Sequence, residues 1–305
     1  MKKGYICLAI TVIFFSSYEV VGRTLTGVVN PLQVNFIRFF FGGLILLPLA
    51  IKSIKTKRIK LSAKDILFVA LIGIINVVIS MSFLQIGINT TKKASLAAVI
   101  FSSNPLFVVL SAYFILNEKL NIQKISGLMI GIIGLIVVFY KDLSISVSYL
   151  HGIILLILSA ITYGIYTTMG KKFAQKTDSI IMNSFSFLFG SIFLIPIILF
   201  NNSSLFHISA KAMLPMTYLT LFVTGIAYYT YFLGLTYMNA GAGSMIFFIK
   251  PILASIFAWI FLDEKISINL IIGTFIILLG IFLVQNEDKS NLKSIIFKPN
   301  FFNEN

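Results

Sequence analysis

Cysteine is nearly missing from this chain. It occurs once, as Cys7, so the chain can form no internal disulfide and no cysteine-based metal site. Histidine occurs twice, at His151 and His207, too far apart in sequence to suggest a histidine-rich metal centre. Charge is scarce as well: 11% of the 305 residues are charged, against about a quarter in soluble domains. Acidic groups are the rarer sign, 10 against 24 basic ones, for a net charge of +14. Walker A, H-E-x-x-H and Rossmann patterns are absent, which argues against ATP-driven pumping by this chain alone and calls for no cofactor. These shortages rule out a soluble enzyme, a disordered chain and a disulfide-rich secreted domain as primary readings.

What remains is apolar. Hydrophobic residues make up 58% of the chain, with 30 phenylalanines and a mean hydropathy of +0.99. A membrane-crossing helix takes about 20 residues. Apolar runs predict ten, near 5–24, 31–51, 65–88, 94–116, 122–140, 150–170, 179–200, 211–237, 240–262 and 267–285. The eighth is long enough to be tilted or broken. The loops are short and carry turn residues such as Asn30-Pro31 and Asn201-Asn202-Ser203-Ser204. The first run follows Lys2 and Lys3 but has no A-x-A cleavage pattern and contains Glu19, so it reads as a retained helix rather than a signal peptide. Residues 287–305 read as a polar, mobile cytoplasmic tail.

The basic charge lies between the apolar runs, not along one face, which argues against nucleic acid as a partner. With the N-terminus inside, sixteen Lys and Arg residues fall in cytoplasmic segments and six at outer ends. That bias predicts a cell-membrane protein with both termini in the cytoplasm. Lys92-Lys93 runs against it.

The chain also repeats itself. Asn104-Pro105-Leu106, Tyr113, Asn117-Glu118-Lys119-Leu120, Gly127 and Gly134 recur 146 residues later as Lys250-Pro251-Ile252, Trp259, Asp263-Glu264-Lys265-Ile266, Gly273 and Gly280. Ser17-Tyr18 matches Thr162-Tyr163 at an offset of 145, and Pro48 matches Pro196 at 148. The fold expected is therefore all-α and integral to the membrane: two five-helix repeats, 1–143 and 144–286. An odd number of spans per half makes the second repeat enter from the opposite side. The halves are then inverted, as is common in secondary transporters.

Two five-helix halves, each with a proline in the fourth helix, an acidic-Lys corner and a glycine-bearing fifth helix, resemble the EamA-type transporters of the drug/metabolite transporter superfamily. Phe36-Ile37-Arg38-Phe39 is similar to that family's second helix. Ser17-Tyr18 stands where its first helix often has Trp-Gly, a departure from the pattern. The resemblance implies ten helices and a central cavity lined mainly by the first four of each half, with the fifth helices outside it. It also implies export of amino acids or other small metabolites.

Three ionisable residues fall inside predicted spans and away from their ends: Glu19, Arg38 and Lys250. A charge near the bilayer centre costs at least about 2.5–3.5 kcal/mol, so each should face protein or water. Glu19 and Arg38 are at similar depth and can pair directly, fixing the first two helices, or hold the two ends of a zwitterion. Glu19 is also the candidate coupling group. Lys250 suits a substrate carboxylate or phosphate. Its repeat mate is Asn104, and either can instead cap carbonyls freed by Pro251 or Pro105, the candidate hinges. Asn76, Ser80, Tyr163, Tyr228 and Tyr231 complete the candidate substrate-binding set, with Ser82, Gln85, Tyr166 and Tyr229 nearby. Met245, Phe247 and Phe248 read as packing residues, and Glu118 and Glu264 as corner-closing ones. The Gly127-x-x-x-Gly131 pair permits close helix contact, more readily within a monomer than in a weak dimer.

The expected function is a secondary-active transporter working by alternating access. It would export or exchange amino acids or related small metabolites, with a proton or counter-substrate as the coupled species. Phosphorylated sugars, nucleotide sugars, choline and drugs are the alternative cargoes. A membrane enzyme acting on lipid-linked substrates needs an acidic or histidine cluster, and a channel needs a polar ring; neither is visible.

Overall fold

A computed structural model describes residues 2–117, 122–139, 147–237 and 246–296. Expectations for Glu118, Lys119, Lys141 and Met245, and for the side chains of Lys124, Phe247 and Phe248, lie outside what it describes.

The described residues form helices and no strand. In chain order these are α1 (Lys2–Thr24), α2 (Pro31–Lys57), α3 (Ala63–Gly73), a π-helical turn Ile74–Ser80, α4 (Met81–Thr91), α5 (Ala94–Phe101) and α6 (Asn104–Leu116). Then follow α7 (Ile122–Phe139), α8 (Val147–Lys176), α9 (Ser179–Phe200), α10 (Ala210–Tyr218), a second π-helical stretch Leu219–Ala227, α11 (Tyr228–Thr236), α12 (Ile246–Leu262) and α13 (Ile268–Ile296). Seven spans are long and apolar enough to cross a membrane: Lys3–Thr24, Pro31–Lys57, Ala63–Thr91, Ala94–Leu116, Val147–Lys176, Ser179–Phe200 and Ala210–Thr236. Shorter apolar helices at Ile125–Val138, Ile249–Leu262 and Ile268–Gly280 occupy the fifth, ninth and tenth predicted runs.

Local chemistry sets several ends. Asn30 caps α2 by accepting from the Leu32 amide, with Pro31 at the first helical position, where its missing N–H costs nothing. Ser62 and Asp65 form a reciprocal capping box at α3. Asp178 caps α9 and accepts from Lys57 at 2.7 Å and Ser53 at 2.6 Å, tying the α8–α9 turn to the end of α2. Burial pushes its carboxyl up, but the bonds from Lys57, Ser53 and the Ile180 amide outweigh that and hold it below the usual carboxylate value.

Three segments show how the helices continue or break beyond what the apolar runs mark. Residues 287–296 continue α13 as a helix. The fourth span is broken at Ser102-Ser103, where Pro105 cannot donate to the Phe101 carbonyl. Pro251, the other candidate hinge, stands inside the uninterrupted α12, which survives the loss of one internal bond.

The outside is apolar, and the hydrophobic interior also holds a set of buried polar side chains. Leu67, Phe114, Trp259, Phe261 and Phe275 are exposed, while Asn35, Arg38, Asn76, Gln85, Asn104 and Asn183 are buried. Such an apolar exterior belongs in lipid, and the chain is a multi-pass membrane protein. α7 packs along α13, α2 along α9, and α1 along α11 and α12. The α7–α13 contact is made by glycines. A Cβ on Gly280 would meet the Gly127 carbonyl and the Gly131 amide at 2.6 Å, and Gly134 faces Gly273 in the same way. The Gly127-Gly131 pair is therefore spent inside the chain.

Candidate functional site

Glu19 on α1 and Lys250 on α12 meet in the middle of the bundle. Lys250 Nζ donates to Glu19 Oε1 at 2.5 Å, with both side chains almost wholly buried (0% and 2% exposed). The ammonium also lies 4.4 Å from the centre of the Phe101 ring, a cation–π contact in a dry setting. Oε2 of Glu19 has no hydrogen-bond partner.

The expected Glu19–Arg38 pair does not form; Glu19 takes Lys250 instead. Arg38, 1% exposed, is packed between rings, its guanidinium 4.4 Å from Tyr18 and 4.3 Å from Phe39. Its Nε donates to Asn35 Oδ1 at 3.1 Å, and Nη2 has no partner. Asn35 sits one helical turn before Arg38, where two side chains share a face. The Tyr18 hydroxyl donates to Gln85 Oε1 at 2.7 Å, and Gln85 Nε2 donates to the Gly22 carbonyl at 3.0 Å, locking α1 to α4.

These groups surround a cavity of about 20 Å³, lined by Phe15, Tyr18, Arg38, Met81, Leu84, Phe101, Tyr163, Val223, Tyr228 and Lys250. That is room for a body the size of water. Grooves of about 590, 360 and 240 Å³ are lined mainly by apolar side chains, and one of about 220 Å³, away from the Glu19–Lys250 pair, is lined by Arg23, Thr24, Thr26, Lys92, Leu262 and Glu264. The buried ionic groups Arg38 and Lys250 meet at the small central cavity.

The remaining candidates divide. Tyr163 and Tyr228 line the cavity, their ring centres 6.4 Å apart. Tyr228 also contacts Phe15, Phe39 and Phe187, and its hydroxyl lies 3.3 Å from Met81 Sδ. Tyr231 packs behind it against Phe15. Asn76, in the first π-helical turn, faces the Tyr228 hydroxyl without full hydrogen-bond geometry. Ser80 is spent on the Ser159 carbonyl at 3.0 Å. Asn104 does not join Lys250: its amide donates to the Phe101 carbonyl at 2.8 Å, the group that Pro105 leaves free.

The sequence reading passed over Asn35, Phe39 and Phe101, and took Tyr18 only as a repeat marker. Position could have recovered two of them: Tyr18 adjoins Glu19 and is the repeat mate of Tyr163, and Asn35 precedes Arg38 by three. Phe101 offers no such signal.

One end of the bundle carries another bonded carboxylate. The Glu264 carboxylate, just past α12, accepts from the Ala94 amide at 2.6 Å, the Ser95 amide at 3.0 Å and the Ser95 hydroxyl at 2.6 Å. It thereby caps α5, with the negative charge at the helix N-terminus. Its role is structural, but it closes onto the other half of the chain and not onto its own corner. Beside it, Arg23 Nε donates to the Lys92 carbonyl at 3.0 Å.

The profile of the EamA-like transporter family matches residues 2–140 and 150–285. An uncharacterized transporter of Clostridium kluyveri is 35% identical over 97% of each chain. The uncharacterized transporter YoaV of Bacillus subtilis is 27% identical over 84% of this chain and 87% of its own. A WAT1-related chloroplastic protein of Arabidopsis thaliana is 25% identical over 89% of this chain and 67% of its own. A solved crystal structure superposes with a TM-score of 0.68 at 16% identity, over 95% of this chain and 99% of that one, a likeness of fold.

Proposed function

The chain belongs to the EamA-like transporter family, and from that premise we propose that it is a secondary-active transporter. It exports or exchanges amino acids or related small metabolites by alternating access through the centre of the bundle. In this reading it crosses the membrane ten times, as inverted halves 1–143 and 144–286, with both termini in the cytoplasm.

The observation that carries the proposal is the buried Glu19–Lys250 pair, which joins α1 of one half to α12 of the other beside an enclosed cavity. A buried ion pair is a costly way to hold two helices together, since apolar side chains of similar volume do it as well or better. Its use here is in being broken. Each charge is a partner for an opposite charge on a solute, and each leaves its present partner when the solute arrives. Contacts between repeat mates support the inverted arrangement: α2 packs on α9 and α7 on α13, as a two-fold axis in the membrane plane would require. Glu19 serves as the coupling group, because a carboxylate that loses Lys250 to a substrate anion must find another cation or take up a proton.

Counterflow in proteoliposomes tests this. Vesicles loaded with one unlabelled solute from a panel of amino acids and organic acids should accumulate the labelled form from a dilute external pool. Glu19→Gln and Lys250→Met should abolish the overshoot. Absence of exchange for every panel member, sugar phosphates and choline included, would overturn the reading.

A further inference from the structure

Two cations and one carboxylate share the buried centre, and the carboxylate is already taken. Glu19 neutralises Lys250. Arg38 is left with no carboxylate within 4 Å among the described residues. Its Nη2 lacks any hydrogen-bond partner, and its side chain lines the cavity. Lysine can shed its proton when buried; a guanidinium cannot at any pH the protein meets. Arg38 is therefore a buried charge without a direct carboxylate contact, which a fold carries at a cost. Helix packing alone gives no reason to keep it, since Tyr18 and Phe39 already fill the space on its two faces.

Building on the transport reading, we infer that Arg38, alongside Lys250, recognises the substrate, and that the substrate is a small monocarboxylate with an apolar or aromatic body. Three features select that class. Two aromatic rings lie against the guanidinium and its Nη2 is left without a partner, part of a planar donor array that fits a planar carboxylate. The spare charge at the centre is a single positive one, which a monoanion balances; a phosphate dianion overfills it and a zwitterion leaves it standing. Phe15, Met81, Leu84, Phe101 and Val223 supply walls for an apolar body. The present cavity admits only a water-sized guest, so loading accompanies separation of the elements around it. Asn35 is a positioning residue: its bond to Nε turns the free edge of Arg38 toward the cavity.

Thermal unfolding of the purified full-length protein in detergent, with phenylacetate as probe, separates the possibilities. Phenylacetate should raise the unfolding temperature in a saturable way. Phenylacetamide, phenylphosphate and phenylalanine at equal concentration should raise it less. Arg38→Gln should lose the response. Should that variant fail to purify, Arg38→Lys decides, because it keeps the charge and loses the planar fork; its affinity for phenylacetate should fall at least tenfold. Equal responses to carboxylate and amide, a flat response to the whole panel, or wild-type affinity in Arg38→Lys would overturn the assignment. A stronger response to phenylphosphate or phenylalanine would overturn the monocarboxylate class. Counterflow with an unchanged KM in Arg38→Lys would refute the role of Arg38 and leave the transport reading intact. Absence of any counterflow by the wild-type protein would refute the transport reading itself.

Discussion

Lys250 and Glu19 were both conspicuous as single charges in apolar runs, but nothing local in the sequence joined them. They are 231 residues apart, and Arg38 was the nearer candidate for Glu19. Pairing was decided by where α12 crosses α1. Removing one partner of such a pair leaves the other buried and unmatched, at a cost of about 3–5 kcal/mol. Lys250→Met is therefore expected to lower the unfolding temperature of the detergent-purified protein sharply. Glu19→Leu combined with Lys250→Met should recover most of that loss, while counterflow stays absent. Additive losses in the double variant would mean that the two residues are not coupled. Asn104 shows the opposite case. The repeat aligned it with Lys250, yet its environment is set by Pro105 three bonds away, and it serves a freed carbonyl. Repeat alignment marks equivalent backbone positions; the side chains at those positions need not share a task.

At the level of elements, the runs of apolar residues placed the helices well, because twenty residues without charge have few alternatives in a membrane protein. The π-helical stretches at Ile74–Ser80 and Leu219–Ala227 were not legible. They lie at equivalent points of the two repeats, about 145 residues apart, and the second lines the cavity with Val223. No residue type signals a π turn, which is adopted where packing on a neighbour favours one extra residue per turn. The glycines of the fifth and last runs were visible as a repeat, and their mutual contact follows from it only once the helices are placed. Gly280→Ala pushes a methyl against backbone of α7 and should destabilise the protein by about 1–3 kcal/mol. Gly225→Ala, whose new methyl would meet its nearest neighbour at 3.4 Å, should change stability by less than about 1 kcal/mol. Thermal melts of the two variants compare them directly, and equal effects would count against the glycine contact.

For the whole molecule, the expected orientation rests on charge bias, and cysteine labelling reads it. A cysteine at Lys57, in a variant whose Cys7 is replaced by Ser, should resist a membrane-impermeant maleimide in intact cells and react once the membrane is opened; labelling in intact cells would invert the topology. Composition by itself determined that this chain is a helical membrane protein, since so apolar a chain cannot hide its surface from water. The fixed-offset matches determined that it is built from two similar halves, and the three intramembrane charges determined which residues merited scrutiny. Only the tertiary structure decided that Glu19 belongs to Lys250, that Arg38 Nη2 is left open, that Glu264 caps the other half, and that Asn104 bonds the Phe101 carbonyl. The physical reason is range. Hydrophobicity and repeat spacing act along the chain and can be read there. An ion pair or a cavity depends on which helix faces cross, and that is set by the packing of the whole bundle.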